Sequence, residues 1–112
     1  MDVKQFLAIY MGDPSATKAD IEPATAQKGM VAWGQWMQRN ADRIVNAGGP
    51  LGRTKLVSKN GVEDIRNAIT GYVVLQADSH EDAAKLFENH PHFAIFPGKA
   101  VEVMECLPMP GR

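Results

Sequence analysis

Gly71-Tyr72-Val73-Val74-Leu75-Gln76-Ala77, followed by Asp78-Ser79-His80-Glu81-Asp82 and Ala83-Ala84-Lys85-Leu86-Phe87, decides the fold. The first seven residues are rich in β-branched and aromatic side chains, the composition of a strand. Alternation puts Tyr72, Val74 and Gln76 on one face and Val73, Leu75 and Ala77 on the other. The second set is purely aliphatic and is expected to pack on helices. The first, with a phenol and an amide, suits a wetter face. Ser79 with Asp82 approximates a capping box ahead of a helix that runs to Phe87. His90-Pro91-His92-Phe93 is expected to end that helix. Lys99 to Leu107 then reads as the last strand, with Val101 and Val103 on one face and Glu102, Met104 and Cys106 on the other.

Toward the N-terminus, Lys4-Gln5-Phe6-Leu7-Ala8-Ile9-Tyr10-Met11 is apolar almost throughout and stops at Gly12-Asp13-Pro14. A short run bounded by turn residues reads as a strand buried on both faces. Gly12 to Pro23 is polar and broken by two prolines, a solvated loop or a flap over a pocket. From Ala24 to Asn46 the period turns helical: Met30, Trp33, Met37, Ala41 and Ile44 recur at spacings of three and four. Trp36 lies beside that stripe. Gly29 and Gly34 weaken the helix by about 1 kcal/mol each relative to alanine, or let it lie close to a neighbour.

Ala47-Gly48-Gly49-Pro50-Leu51-Gly52 is expected to close this helix, with Gly48 or Gly49 as a left-handed cap and Pro50 barring continuation. It does not read as a phosphate loop, because no Gly-Lys-Ser/Thr follows and a helix precedes it. Arg53 to Ser58 is expected as the second strand, with Lys59-Asn60-Gly61 the hairpin turn beyond it. Asp64-Ile65-Arg66 falls in a widened hairpin loop or a strand extension.

In chain order the elements read β-α-β-β-α-β, the ferredoxin-like α+β arrangement of one antiparallel sheet with both helices on one face. The opposite face is then uncovered, although its side chains are not polar enough for water. A second copy laid against it is expected, giving a homodimer, a dimeric α/β barrel with a cavity between the two sheets. The 112 residues fit a single domain spanning 1–112, a size at which much surface stays in water and pairing helps.

The formal net charge of -1 and the lack of a basic cluster argue against nucleic acid or an anionic membrane as a partner. No run approaches the roughly 20 apolar residues of a spanning helix, and Phe6 to Met11 is too short for a signal h-region. The lone cysteine, Cys106, forms no internal disulfide, which agrees with a reducing compartment. The chain is read as cytoplasmic.

Gly71 through Ser79, then His90-Pro91-His92-Phe93 and Pro97-Gly98, resemble the YCII-related family in order and spacing. So do Ala47-Gly48-Gly49-Pro50-Leu51 and the ending Val101-Glu102-Val103-Met104 through Leu107-Pro108-Met109. The resemblance runs from Ala24 onward and implies a dimeric α/β barrel. It implies no particular reaction, since a fold does not determine chemistry. One branch of the family has a proposed catalytic His-Asp pair with its histidine on the first helix. This chain has Met30, Trp33 and Trp36 there, and its histidines, His80, His90 and His92, all lie in the second half. The other branch is named for an Asp-Gly-Pro-Phe tetrapeptide after its second strand. Here that region reads Lys59-Asn60-Gly61-Val62-Glu63, while the His-Pro-His segment places the chain nearer this second branch.

His90 and His92 are the candidates for acid–base chemistry near neutral pH, with Asp78 as a carboxylate partner. The structural alternative for both histidines is a helix-end role against C-terminal carbonyls. Asp78 and Ser79 read equally as helix-start residues. A metal is not expected, because two histidines around a proline supply only part of a coordination shell. Trp33 and Trp36 are candidates for an aromatic wall. Tyr72, Gln76 and Glu102 are candidates for ligand contacts on the sheet face assigned to the dimer cavity. Core packing, and an ion pair of Glu102 with Arg53 or Lys55, are the competing roles. Cys106 reads as an inert buried thiol. No cofactor is called for. The resulting expectation is a small cofactor-independent enzyme that moves a proton on a small organic molecule. The alternative is a non-catalytic metabolite-binding or dimerisation module.

Overall fold

Alternation along two strands sets the core. In Lys4–Met11 and Ile69–Ala77 every second side chain is buried: Phe6, Ala8 and Tyr10 on one strand, Val73, Leu75 and Ala77 on the other. The computed structural model describes residues 3–14 and 21–110. Its elements are β1 (Lys4–Met11), α1 (Pro23–Arg39), β2 (Ile44–Pro50), β3 (Thr54–Ser58), β4 (Gly61–Ile65), β5 (Ile69–Ala77), α2 (His80–Lys85), α3 (Pro91–Ala94) and β6 (Ala100–Glu105). Strands β2, β5, β1 and β6, in that order, form one antiparallel sheet. With β3 and β4 set aside, that order and the α+β succession are those of the ferredoxin-like fold. Trp36, Ala83 and Phe87 pack from the helical layer onto the buried strand residues.

The first helix ends earlier than its apolar spacing implies. Asn40 stops it: the side-chain amide donates to the Trp36 carbonyl at 2.9 Å, and the Asn40 backbone N–H takes the same oxygen at 3.2 Å. Ala41 then lies in a turn, and Ile44 reaches the core from β2, opposite Leu75. The Gly-Gly-Pro segment is therefore part of an edge strand and not a helix cap. This strand is bulged twice against β5. At the bulge Gly48 has a φ of 64°, and the Tyr72 carbonyl oxygen occupies the space a Cβ would need. Pro50 lacks an N–H to give and is tolerated at a sheet edge.

Arg53 to Ser58 was expected as the second strand of the sheet; the strand there, Thr54–Ser58, pairs instead with Gly61–Ile65 in a separate two-stranded ribbon. Asp64 and Ile65 are strand residues of that ribbon, and Lys55 pairs with Asp64 across it at 2.7 Å. Of the loop or flap expected at 12–23, residues 15–20 lie outside the described residues.

Ser79 caps α2 as anticipated, its hydroxyl accepting the Asp82 N–H at 3.1 Å. The helix stops at Lys85. Asn89 turns the chain with a φ of 59°, and His90 becomes the N-cap of α3, with Pro91 next in the first turn. His90-Pro91-His92 starts a helix here; it does not finish one. Proline suits that position because its missing N–H would have no helical partner there.

The face of the sheet away from the helices carries Leu7, Ile9 and Val74, half-buried, and Met104, exposed. β1 is thus buried on one face and half-covered on the other, where burial on both was expected.

Candidate functional site

Two imidazoles leave α3 with opposite orientations. Nδ1 of His90 accepts the backbone N–H of His92 at 3.0 Å. An amide N–H only donates, so this nitrogen carries no proton and the neutral ring is protonated at Nε2. Nε2 therefore donates to the Tyr10 hydroxyl oxygen, 3.5 Å away. His90 is fully buried, and that burial, with the neighbouring His92 adding to it, lowers its pKa to about 4.

His92 is fixed through its other nitrogen. Its Nε2–H donates to the Met11 carbonyl at 2.8 Å, an oxygen that also takes the Lys99 N–H at 2.9 Å. Gly98 makes room for the ring, since a Cβ there would overlap it. Nδ1 of His92 has no hydrogen-bond partner among the described residues. No fully buried side-chain nitrogen or oxygen among them lacks one, so this atom has accessible surface.

His92 lines a cavity of about 360 Å³ bounded by α1, β2, the start of β5 and the segment after α3. Tyr10, Trp33, His92 and Phe96 form much of its wall, with Thr70 and Gly71 on the sheet side and Met30, largely exposed, at the mouth. Trp33 stands perpendicular to His90 with centroids 4.6 Å apart, and lies 4.9 Å from Tyr10 and 6.0 Å from Phe96. The Tyr10 and His92 rings are 5.2 Å apart. Burial pushes the Tyr10 phenol above its ordinary pKa. A mostly apolar, aromatic wall with a few convergent polar groups is the usual character of a small-molecule site.

The expected site residues separate in space. His92, Trp33 and Tyr72 line the cavity, while His90 sits behind it, packed on Tyr10, Trp33 and Trp36. Trp36 is a core residue whose indole N–H donates to the Leu86 carbonyl at 2.7 Å. Gln76 donates to the Asp42 carbonyl at 3.2 Å. Glu102 is exposed on β6, opposite Ile9 in register. Asp78 is exposed past the far end of β5, about 23 Å along the strand from Gly71 at the usual strand rise. Cys106 is exposed and not buried. The cavity itself lies on the helical side of the sheet within one chain, whereas the sequence pattern put one between two sheets. Tyr10 was absent from the expected set. Its signal was parity: it is the only polar-tipped residue among the buried positions of β1, beside Phe6 and Ala8.

Among the described residues no group of three or more His, Cys, Asp or Glu side chains is placed to hold a metal ion. No helix among them is long and apolar enough to cross a membrane.

The ferredoxin-like α+β class defined by this sheet order is shared with a solved structure, 5-chloro-2-hydroxyhydroquinone dehydrochlorinase from Burkholderia phenoliruptrix in complex with 2,5-dihydroxybenzoquinone. The two are similar over 88% of this chain and 89% of that one, with a TM-score of 0.54 and 17% sequence identity. At that identity the likeness is one of fold. No protein-family model matches the chain, and no curated protein matches it in sequence.

Proposed function

We propose that this chain is a YCII-related protein whose cavity binds a small, flat organic molecule, and that His92 acts on this molecule as a proton acceptor without a cofactor. The observation that carries the reading is the orientation of His92. One nitrogen is tied to the Met11 carbonyl and the other is open, the condition a general base requires. His90, with both nitrogens engaged, holds the neighbouring rings in place. The fold neighbour is named for a reaction of a chlorinated hydroxyhydroquinone and holds a quinone ring. A ring of that size suits a cavity of about 360 Å³ walled by Trp33 and Phe96.

The test is a ligand-observed NMR screen of cyclic compounds in heavy water. Wild-type protein is expected to bind a subset and to speed deuterium exchange at an acidic C–H of the bound compounds. His92→Gln should keep binding within about threefold and lose the exchange. Binding without exchange in the wild type leaves a metabolite-binding protein, and no binder at all removes the cavity as a ligand site.

We further propose a cytoplasmic homodimer formed through the open sheet face, where Leu7, Ile9, Val74 and Met104 lie. Sedimentation at micromolar concentration is expected to give twice the chain mass; a monomer there would remove this part of the reading.

A further inference from the structure

We propose that Tyr10 is the hydrogen-bond donor of this site and that the ligand is a planar carbonyl compound. The carbonyl oxygen takes the Tyr10 hydroxyl hydrogen while an adjacent C–H faces His92 Nδ1. The proposal rests on the reading of the cavity as a ligand site and gives it a substrate class.

The direction of the hydrogen bonds carries it. The His92 N–H goes to His90 Nδ1, which forces the His90 proton onto Nε2, and that proton goes to the Tyr10 oxygen. Tyr10 thus receives a hydrogen bond from His90 and cannot return one. Its own hydroxyl hydrogen has no acceptor among the described residues, although the residue is only 5% exposed. The Tyr10 ring packs on Trp33 and Phe87, with centroids 4.9 Å and 6.3 Å away, and neither side chain carries a nitrogen or oxygen acceptor. Tyr10 also lines the cavity, and in the proposal its free hydroxyl hydrogen is directed there. A buried donor without an acceptor is costly, and an oxygen bound in the cavity relieves that cost. Of the two other hydroxyl residues of the wall, Thr70 donates to the Tyr10 backbone carbonyl at 3.0 Å, and Tyr72 pairs in register with Ile9, whose side chain lies on the sheet face away from the helices. Burial keeps the phenol protonated, so it stays a donor.

The two rings are 5.2 Å apart, a separation that one small molecule spans. His92 Nδ1 takes the proton from the carbon next to the carbonyl. The C–H electron pair becomes the new C=C bond, the carbonyl π pair moves onto oxygen, and the Tyr10 O–H holds the resulting enolate oxygen. Return of the proton from His92 to carbon closes the cycle with no other reactant.

The test compares 1-indanone with indane, which share a ring system and differ at the carbonyl. Binding is followed by ligand-observed NMR, and exchange at C2 of 1-indanone in heavy water by the loss of its proton signal. Wild-type protein is expected to favour 1-indanone by about three- to tenfold, the worth of one neutral hydrogen bond. Tyr10→Phe should bind indane unchanged, lose that preference and slow the exchange. His92→Gln should keep the preference and abolish the exchange. A wild-type protein that binds both compounds equally, or a Tyr10→Phe variant that retains the preference, overturns the proposal and leaves the cavity as a ligand site. Failure to bind either compound counts against the cavity itself and takes the proposal with it.

Discussion

His92 gives its backbone N–H to Nδ1 of His90 at 3.0 Å, a bond that exists only while His90 is neutral. Both histidines begin a short helix, so this one contact joins the start of α3 to the protonation state of a buried ring.

Stability is therefore expected to depend on pH in a definite window. His90 has a pKa of about 4 in the fold, against about 6.5 for an unperturbed histidine. Between those values the unfolded chain binds the proton that the folded chain refuses. The stabilisation is complete above about pH 6.5, declines as pH falls, and levels off below about pH 4, for a total loss of up to about 3 kcal/mol. Urea midpoints from pH 7.5 to 4 check this. His90→Asn keeps an N-cap acceptor but removes the titrating ring. It should be less stable by about 2 kcal/mol at pH 7 through lost packing and should show a flatter profile over that window.

The first and third strands of the sheet were legible in the sequence, Lys4–Met11 as an apolar run bounded by turn residues and Gly71–Ala77 by its β-branched, alternating pattern. The end of α1 was not, because Ala41 and Ile44 continue the helical spacing and Ile44 reaches the same core from a strand. The Gly48-Gly49-Pro50 run carries the marks of a helix cap, and a bulged edge strand demands the same residues for different reasons. Proline after His90 fits a helix end or a helix start, and only the turn at Asn89 decides between them. Tyr10 joins His90 across 80 positions of sequence, a distance over which no local pattern reports.

Two glycines should respond oppositely to alanine. A Cβ at Gly98 overlaps the His92 ring and carbonyl, so Gly98→Ala must displace the ring; a destabilisation of about 1–3 kcal/mol is expected, together with lost ligand binding. Gly34 sits in α1 with nothing near the position of a Cβ, and Gly34→Ala should add about 1 kcal/mol of stability. Thermal denaturation of the two variants separates the cases.

Trp36→Phe leaves the Leu86 carbonyl without its indole donor and should cost about 1–3 kcal/mol in urea denaturation. Trp33 is then the sole tryptophan of the chain, and it lines the cavity. Its emission should shift on ligand binding, giving a direct titration signal.

The cap of α2 is a simpler case. Ser79→Ala removes the acceptor for the Asp82 N–H and is expected to cost about 1 kcal/mol without changing ligand affinity, because α2 contributes no residue to the cavity wall.

The pairing of β2 with β5 continues past Pro50, where the Leu51 N–H meets the Thr70 carbonyl at 2.9 Å. The two ends of the β3–β4 ribbon thus leave the sheet side by side, and among the described strands β3 and β4 pair only with each other. Topologically the ribbon is a cassette spliced into the tip of a hairpin that would be complete with a short turn in its place. The chain is therefore expected to have a permissive junction between Leu51 and Ala68, whose carbonyl takes the Gly12 N–H. Segments of other length are expected to be exchangeable there without disturbing the four-stranded sheet.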